Sequence, residues 1–113
     1  MKLSQLTAIS PIDGRYGAKL EHLRAYASEF ALMRYRTRVE IEWLIMLCEH
    51  PKIDARPLNN NEIIALRDIY QNFTLDHAQI IKQFEKQCQH DLKSVEYFIA
   101  DQCRKKALSE LIP

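Results

Sequence analysis

The chain contains very little glycine. Its 113 residues include two glycines, Gly14 and Gly17, and both lie near the amino terminus. Glycine provides the positive φ angles that tight hairpin turns need, so a β-rich fold of this length usually has more of it. The scarcity therefore predicts an all-α fold, with one long helix and several shorter ones.

The bulk composition gives no sign of a nucleic-acid or membrane partner. Hydrophobic residues make up 47% of the chain and charged residues 27%, both near the norm for globular domains. The 16 basic and 15 acidic residues nearly cancel, which leaves no bulk basic footprint for nucleic acid or an anionic membrane. The longest apolar run, residues 43–48, is too short to span a bilayer.

The amino terminus and the cysteines favour the cytoplasm. Residues 1–9 have one lysine and no long apolar run, unlike a signal peptide. Three cysteines, an odd number, argue against a secreted disulfide framework. Cys48-Glu49-His50 and Cys88-Gln89-His90 suggest zinc, but the usual Cys-x2–4-Cys spacing is missing and both cysteines fall on predicted buried faces. No metal site and no cofactor are predicted.

The head of the chain, Leu3 to Gly17, is expected to be non-helical. Pro11 fixes its own φ angle and Asp13-Gly14 is a turn signal, so Arg15 and Tyr16 follow a turn. A guanidinium suits phosphate or carboxylate, and the tyrosine adds a hydroxyl donor. On local chemistry alone, a solvated surface turn is the commoner explanation.

A long helix is predicted from Ser28, its N-cap, to Glu49. Three shorter helices follow, capped by Asn59–Asn61, Thr74 and Asp91. The long helix is apolar on nearly every side from Ile41 on, which is typical of burial by several neighbours and hints at a larger helical assembly. The residues expected to face inward are Ala27, Phe30, Ile41, Leu44, Ile45, Cys48, Ile63, Leu66, Tyr70, Phe73, Ile80, Ile81, Phe84, Cys88, Val95, Phe98, Ile99 and Cys103.

Arginines interrupt the long helix without forming a nucleic-acid stripe. Glu29, Glu40 and Glu42 lie on the same helix on either side of Arg34, Arg36 and Arg38, which predicts a solvated or salt-bridged face. At the other end of the chain, residues 107–113 carry no helix-stop signal except the final proline. We therefore expect the chain to be a piece of a longer protein, cut within that tail.

The segment Gln89 to Lys93 is a second candidate for ligand binding. If Asp91 is an N-cap, the amides that follow it lie at the positive end of the helix dipole, where an anion is favoured. His90 could donate to a phosphate or relay a proton. A capped helix start with a solvated histidine explains the same residues.

Two segments together resemble a known family. Residues 6–17, Leu-Thr-Ala-Ile-Ser-Pro-Ile-Asp-Gly-Arg-Tyr-Gly, resemble the amino terminus of the bacterial adenylosuccinate lyase family. Residues 90–98, His-Asp-Leu-Lys-Ser-Val-Glu-Tyr-Phe, resemble its His-Asp-Val-Lys-Ala-Val-Glu-Tyr-Phe segment. Their order and separation match the family, and residues 30–43 resemble its first long helix.

The resemblance implies an N-terminal helical domain over residues 1–113, in the fumarase/aspartase superfamily of all-α homotetramers. It implies an enzyme that eliminates fumarate from adenylosuccinate, giving AMP, and from a succinylated carboxamide ribotide of purine synthesis. The substrate-contacting residues carried over are Arg15 and Tyr16, in a head loop of residues 1–17, and Gln89, His90 and Asp91. Related enzymes often have Asn or Arg where this chain has Gln89.

The resemblance also implies that this stretch is inactive alone. The family's base is a serine in a Ser-Ser-x-Met-Pro loop and its acid a histidine in a Thr-His-Gly-Gln segment, and these 113 residues contain neither motif. The alternative is a stand-alone helical interaction module that uses the apolar long helix as a partner-binding face. The downstream reading frame separates the two, because the enzyme requires a continuation that carries the missing motifs.

Overall fold

A computed structural model describes residues 1–108, and all regular secondary structure within them is helical. The all-α prediction is therefore confirmed. A 3-10 helix, Gly17–Leu23, precedes α1 (Arg24–Ala27), α2 (Glu29–Glu49), α3 (Asn60–Gln71), α4 (Leu75–Cys88) and α5 (Asp91–Lys105). The predicted tail lies outside the described residues from residue 109 on. No helix among residues 1–108 is long and apolar enough to cross a membrane.

The chain divides into two compact units, Met1–Leu32 and a second that begins at Met33. In the first unit, the head forms consecutive turns, as predicted. The carbonyl oxygen of Ser10 accepts the amides of Asp13 and Gly14, and that of Pro11 accepts the amide of Tyr16 at 2.8 Å. The 3-10 helix and the single turn of α1 were not predicted.

Gly14 is needed in the head for a close approach. A Cβ atom at this position would lie 2.5 Å from the carbonyl oxygen of Gln5 and 3.1 Å from the Cβ of Ala8. Its φ angle is not positive. The Asp13-Gly14 pair thus correctly predicted the turn. The glycine is needed because the backbone of Gln5 leaves no room for a side chain, not because the backbone is left-handed.

Helix α2 begins and ends where the sequence predicts. The extended backbone of Ser28 precedes it, and the Ser28 hydroxyl accepts the Ala31 amide at 3.1 Å, which is an N-cap. Ile41, Ile45 and Cys48 are buried as expected, whereas Ala27 is exposed, contrary to prediction. Three residues that the pattern did not select, Ala31, Met33 and Thr37, are also buried, and the Thr37 hydroxyl donates to the Met33 carbonyl oxygen at 2.8 Å.

The apolar end of α2 is not covered on every side by the described residues. Trp43 is 54% exposed and Met46 46%, so residues 1–108 do not themselves provide the burial expected for this end of the helix, which stays a prediction for a larger assembly. The same stretch of the helix is tied to α3, because Glu42 accepts hydrogen bonds from Arg67 at 2.9 Å and from the Tyr70 hydroxyl at 2.6 Å. These bonds hold the pKa of Glu42 below its ordinary value.

The caps predicted at the starts of α3 and α4 are present. The side chain of Asn59 accepts the Glu62 amide, and that of Thr74 accepts the His77 amide; each is half of a reciprocal capping box. The core lies among α3, α4 and α5, where Leu66, Phe73, Ile81, Val95, Phe98 and Cys103 are buried as predicted. Ile63, Tyr70, Ile80, Phe84, Cys88 and Ile99 are half-buried.

The Asn59 capping box makes stability depend on acidity. Bidentate bonds from Arg56 and the Asn59 amide lower the pKa of Glu62 from 4.5 to about 2. Because the folded-state pKa is depressed, the stabilisation is present above about pH 4.5 and is lost as pH falls toward 2. We expect Glu62→Gln to flatten the decline of melting temperature across this range. Glu96→Gln, at an exposed position on α5, is the matched control; identical pH profiles for wild type and Glu62→Gln would contradict the prediction.

Candidate functional site

Arg15 and Tyr16 are exposed and contact one another in the first unit. The guanidinium carbon of Arg15 lies 5.2 Å from the centre of the Tyr16 ring, a cation–π distance. Tyr16 is 41% exposed, and its amide is fixed by the Pro11 carbonyl. The turn thus presents an aromatic ring and a five-donor fork side by side, an arrangement suited to an anionic ligand with a flat ring.

His90, not Asp91, caps helix α5, and the predicted N-cap at Asp91 is wrong. His90 has an extended backbone, with φ −144° and ψ 121°, and its Nδ1 accepts the Lys93 amide at 3.2 Å. A neutral imidazole that accepts through Nδ1 carries its proton on Nε2. Since the side chain is 59% exposed, the Nε2–H group is the donor left for a ligand.

Asp91 is the first residue of α5, and its carboxylate is already engaged. Oδ1 accepts the Leu92 amide at 2.8 Å, and Oδ2 lies 3.1 Å from Nη1 of Arg36 on α2. The Leu92 bond, assisted by the charge of Arg36, holds the pKa of Asp91 below its ordinary value. The carboxylate places negative charge beside the first amides of α5, so this helix start is not an unoccupied anion-binding position, contrary to the interpretation from the sequence.

Gln89 ends α4 and turns the chain into α5. Its amide donates to the Glu85 carbonyl oxygen at 2.7 Å, and its backbone is left-handed, with φ 53° and ψ 35°. Side-chain-bearing residues adopt this conformation at a cost, and helices commonly end in it. Gln89 therefore has a backbone role whether or not its amide side chain meets a ligand.

We expect Gln89→Gly to stabilise the fold by about 0.5–1 kcal/mol, because glycine adopts the left-handed conformation without a Cβ clash. The same change at Gln87, inside α4, should destabilise it by about 1 kcal/mol. Urea unfolding of the two variants measures both free energies. Destabilisation by Gln89→Gly would contradict this assignment.

Gln89, His90 and Asp91 border an open depression of about 650 Å³. Its lining residues are Lys82, Glu85, Lys86, Gln89, His90 and Asp91. The first three were not predicted, although their spacing to Gln89 places them on one face of α4. Lys82 lies 3.3 Å from Glu85, so the depression combines an ion pair with a lysine and an imidazole donor. Such donors suit a polar, anionic ligand.

Of the five predicted residues, the structure brings Gln89, His90 and Asp91 together at this depression in the second unit. Arg15 and Tyr16 contact each other in the first. That all five meet at one substrate stays a prediction.

Comparison with known proteins bears on both segments. Over 102–105 residues, or 89% of this chain, it is 48% identical to adenylosuccinate lyases of Dictyostelium discoideum and Legionella pneumophila and 42% identical to that of Escherichia coli K12. The chain matches the N-terminal part of adenylosuccinate lyases. It spans 22% of the length of these lyases. No protein-family model matches the chain. The resemblance stated from the two motifs is thereby confirmed.

Proposed function

We propose that this chain supplies part of the substrate-binding site of an adenylosuccinate lyase, an enzyme that eliminates fumarate from adenylosuccinate and leaves AMP. The same enzyme would act on the succinylaminoimidazole carboxamide ribotide of purine synthesis. The observation that carries the proposal is the exposed His90 ring at a polar depression, with its Nδ1 held by the Lys93 amide, in a chain that is 42–48% identical to these lyases over 89% of its length.

The substrate's charges fit the two segments. Adenylosuccinate carries a phosphate and two carboxylates. The Arg15 guanidinium and the Tyr16 phenol ring can bind its phosphate or ribose side. His90 donates a hydrogen bond or balances charge near the substrate, with Gln89 beside it. Asp91 acts by fixing the start of α5, because its carboxylate oxygens are engaged by the Leu92 amide and Arg36.

The proposed enzyme is a cytoplasmic homotetramer, and residues 1–113 alone are inactive. A β-elimination requires a base for the carbon-bound proton and an acid for the leaving nitrogen. The serine and histidine motifs that do this in the family do not occur in the chain. Purified chain should therefore release no fumarate from adenylosuccinate; measurable release would contradict this part of the proposal.

A hybrid enzyme tests the proposal. In it, this chain replaces the matching segment of the Escherichia coli relative, which is 42% identical. We expect the hybrid to release fumarate, and His90→Ala in the hybrid to lower turnover while helical circular dichroism is retained. Loss of the helical signal in that variant would make His90 a structural residue, and full turnover would remove it from the site. His50→Ala is a matched control, since His50 is an exposed histidine after α2.

One observation is the basis of the alternative, a helical interaction module. Val39, Trp43 and Met46 are exposed and recur along α2 at helical spacing. Such a stripe can dock a partner helix. It equally fits the lyase proposal, because the relatives are more than four times longer and hold further chain to cover it. A hybrid without lyase activity, combined with stable self-association of the chain, would favour the module.

A further inference from the structure

The start of α5 lies one residue away from where residue preferences put it. Asp is among the strongest N-cap residues, and those preferences predict a helix capped by Asp91. The structure instead has His90 at the cap and Asp91 inside the first turn. Something outside the local sequence must therefore favour the observed register.

The outside contact is Arg36. Its Nη1 lies 3.1 Å from Oδ2 of Asp91, across from α2 to α5, and its side chain is 28% exposed. The Asp91 side chain is 56% exposed, so the arginine end of this ion pair is the end that is partly shielded from solvent. The pair draws one carboxylate oxygen toward α2 and leaves the other on the Leu92 amide. In that position Asp91 cannot accept from Lys93 or Ser94, as an N-cap carboxylate would.

The Lys93 amide is consequently available to His90. Its bond to Nδ1 fixes the imidazole's orientation and leaves the proton on Nε2, the atom that can donate at the depression. We propose that Arg36 is a positioning residue: by holding Asp91 in the first turn of α5, it keeps His90 at the cap with its Nε2–H presented to the substrate. This inference rests on the proposed function for the last step only.

Without Arg36, the Asp91 carboxylate is released to cap the helix itself. The helix start then moves by one residue, His90 loses the Lys93 amide, and its ring is no longer held in one tautomer. Arg36→Met removes the charge and keeps an apolar stem of similar length. Arg36→Lys retains a donor for the single bond that Nη1 makes, so it should restore most of the wild-type arrangement.

Nitrogen-15 NMR of the His90 ring in this chain tests the geometry without any activity. We expect wild type to show an unprotonated Nδ1 and a protonated Nε2, and Arg36→Met to show averaged ring nitrogens and a shifted Lys93 amide. Asp91→Asn should give the same averaging. Arg38→Met is the matched control, since Arg38 on the same helix lies over Tyr70, 5.9 Å from its ring centre. Should Arg36→Met fail to fold, the comparison of Asp91→Asn with wild type decides.

Unchanged His90 nitrogens in both Arg36→Met and Asp91→Asn would overturn the proposal.

In the hybrid enzyme, Arg36→Met should lower kcat about tenfold to a hundredfold, the scale of a misplaced catalytic group, with a smaller change in KM. Arg36→Lys should recover most of the lost kcat. The double variant Arg36→Met/Asp91→Asn should have a kcat only slightly below that of Arg36→Met alone. Additive losses, or no rescue by lysine, would contradict the positioning role. A hybrid that is inactive before mutation would instead count against the proposed function and leave the NMR test standing.

Discussion

An Arg15→Ala variant of the hybrid enzyme is expected to bind adenylosuccinate about 1.5–3 kcal/mol more weakly, the scale of a charge-assisted hydrogen bond. The turn that ends at Gly17 holds Arg15 beside the Tyr16 ring, and the guanidinium is exposed rather than committed to a carboxylate in an ion pair among the described residues. Removing it deletes donors for the substrate's anionic groups and leaves the backbone turn intact.

Steady-state kinetics of the hybrid provide the measurement, with Arg24→Ala as the control. Arg24 lies in the same unit, but its guanidinium is engaged by Glu21 at 2.7 Å, so its loss should leave KM unchanged. An Arg15→Ala variant with wild-type KM and kcat would remove Arg15 from the substrate site.

The largest stability effect is expected from Phe98→Ala, which should lower the free energy of unfolding by about 3–5 kcal/mol. Phe98 has no exposed surface and packs edge-on against Phe73, with ring centres 5.7 Å apart, and against His77 at 5.6 Å. Its truncation opens a cavity where α3, α4 and α5 meet. Because His90 caps α5, loosening this packing also loosens the candidate site.

Urea unfolding of this chain measures that effect. Phe98→Leu, which fills most of the volume, should cost less than about 1.5 kcal/mol. Equal losses for the two variants would show that the cavity is not the cause, and a loss below about 1 kcal/mol for Phe98→Ala would contradict the position assigned to this ring.

Local signals predicted much of the fold. Ser28, Asn59 and Thr74 cap helices as expected, because each side chain needs only amides two or three residues ahead. The bounds of α2 followed from the same logic. The apolar pattern also selected the core of α3 to α5, since a buried stripe recurs at helical period whatever it packs against.

The errors arose where distant residues decide. Asp91 is the better N-cap by preference, yet Arg36 on another helix engages its carboxylate and His90 takes the cap. The burial of Thr37 was missed for a different, local reason, since its hydroxyl is satisfied within the helix by the Met33 carbonyl oxygen. Lys82 and Lys86 could have been found, because their spacing to Gln89 places them on one helix face beside the predicted segment.

The central claim is that His90 donates from Nε2 to the nucleotide. A crystal structure of the hybrid enzyme with AMP and fumarate bound tests it most directly. The account predicts Nε2 within about 3.2 Å of a ligand oxygen or nitrogen, with Nδ1 still on the Lys93 amide. A bound nucleotide that no atom of the His90 ring approaches within hydrogen-bonding distance would contradict it.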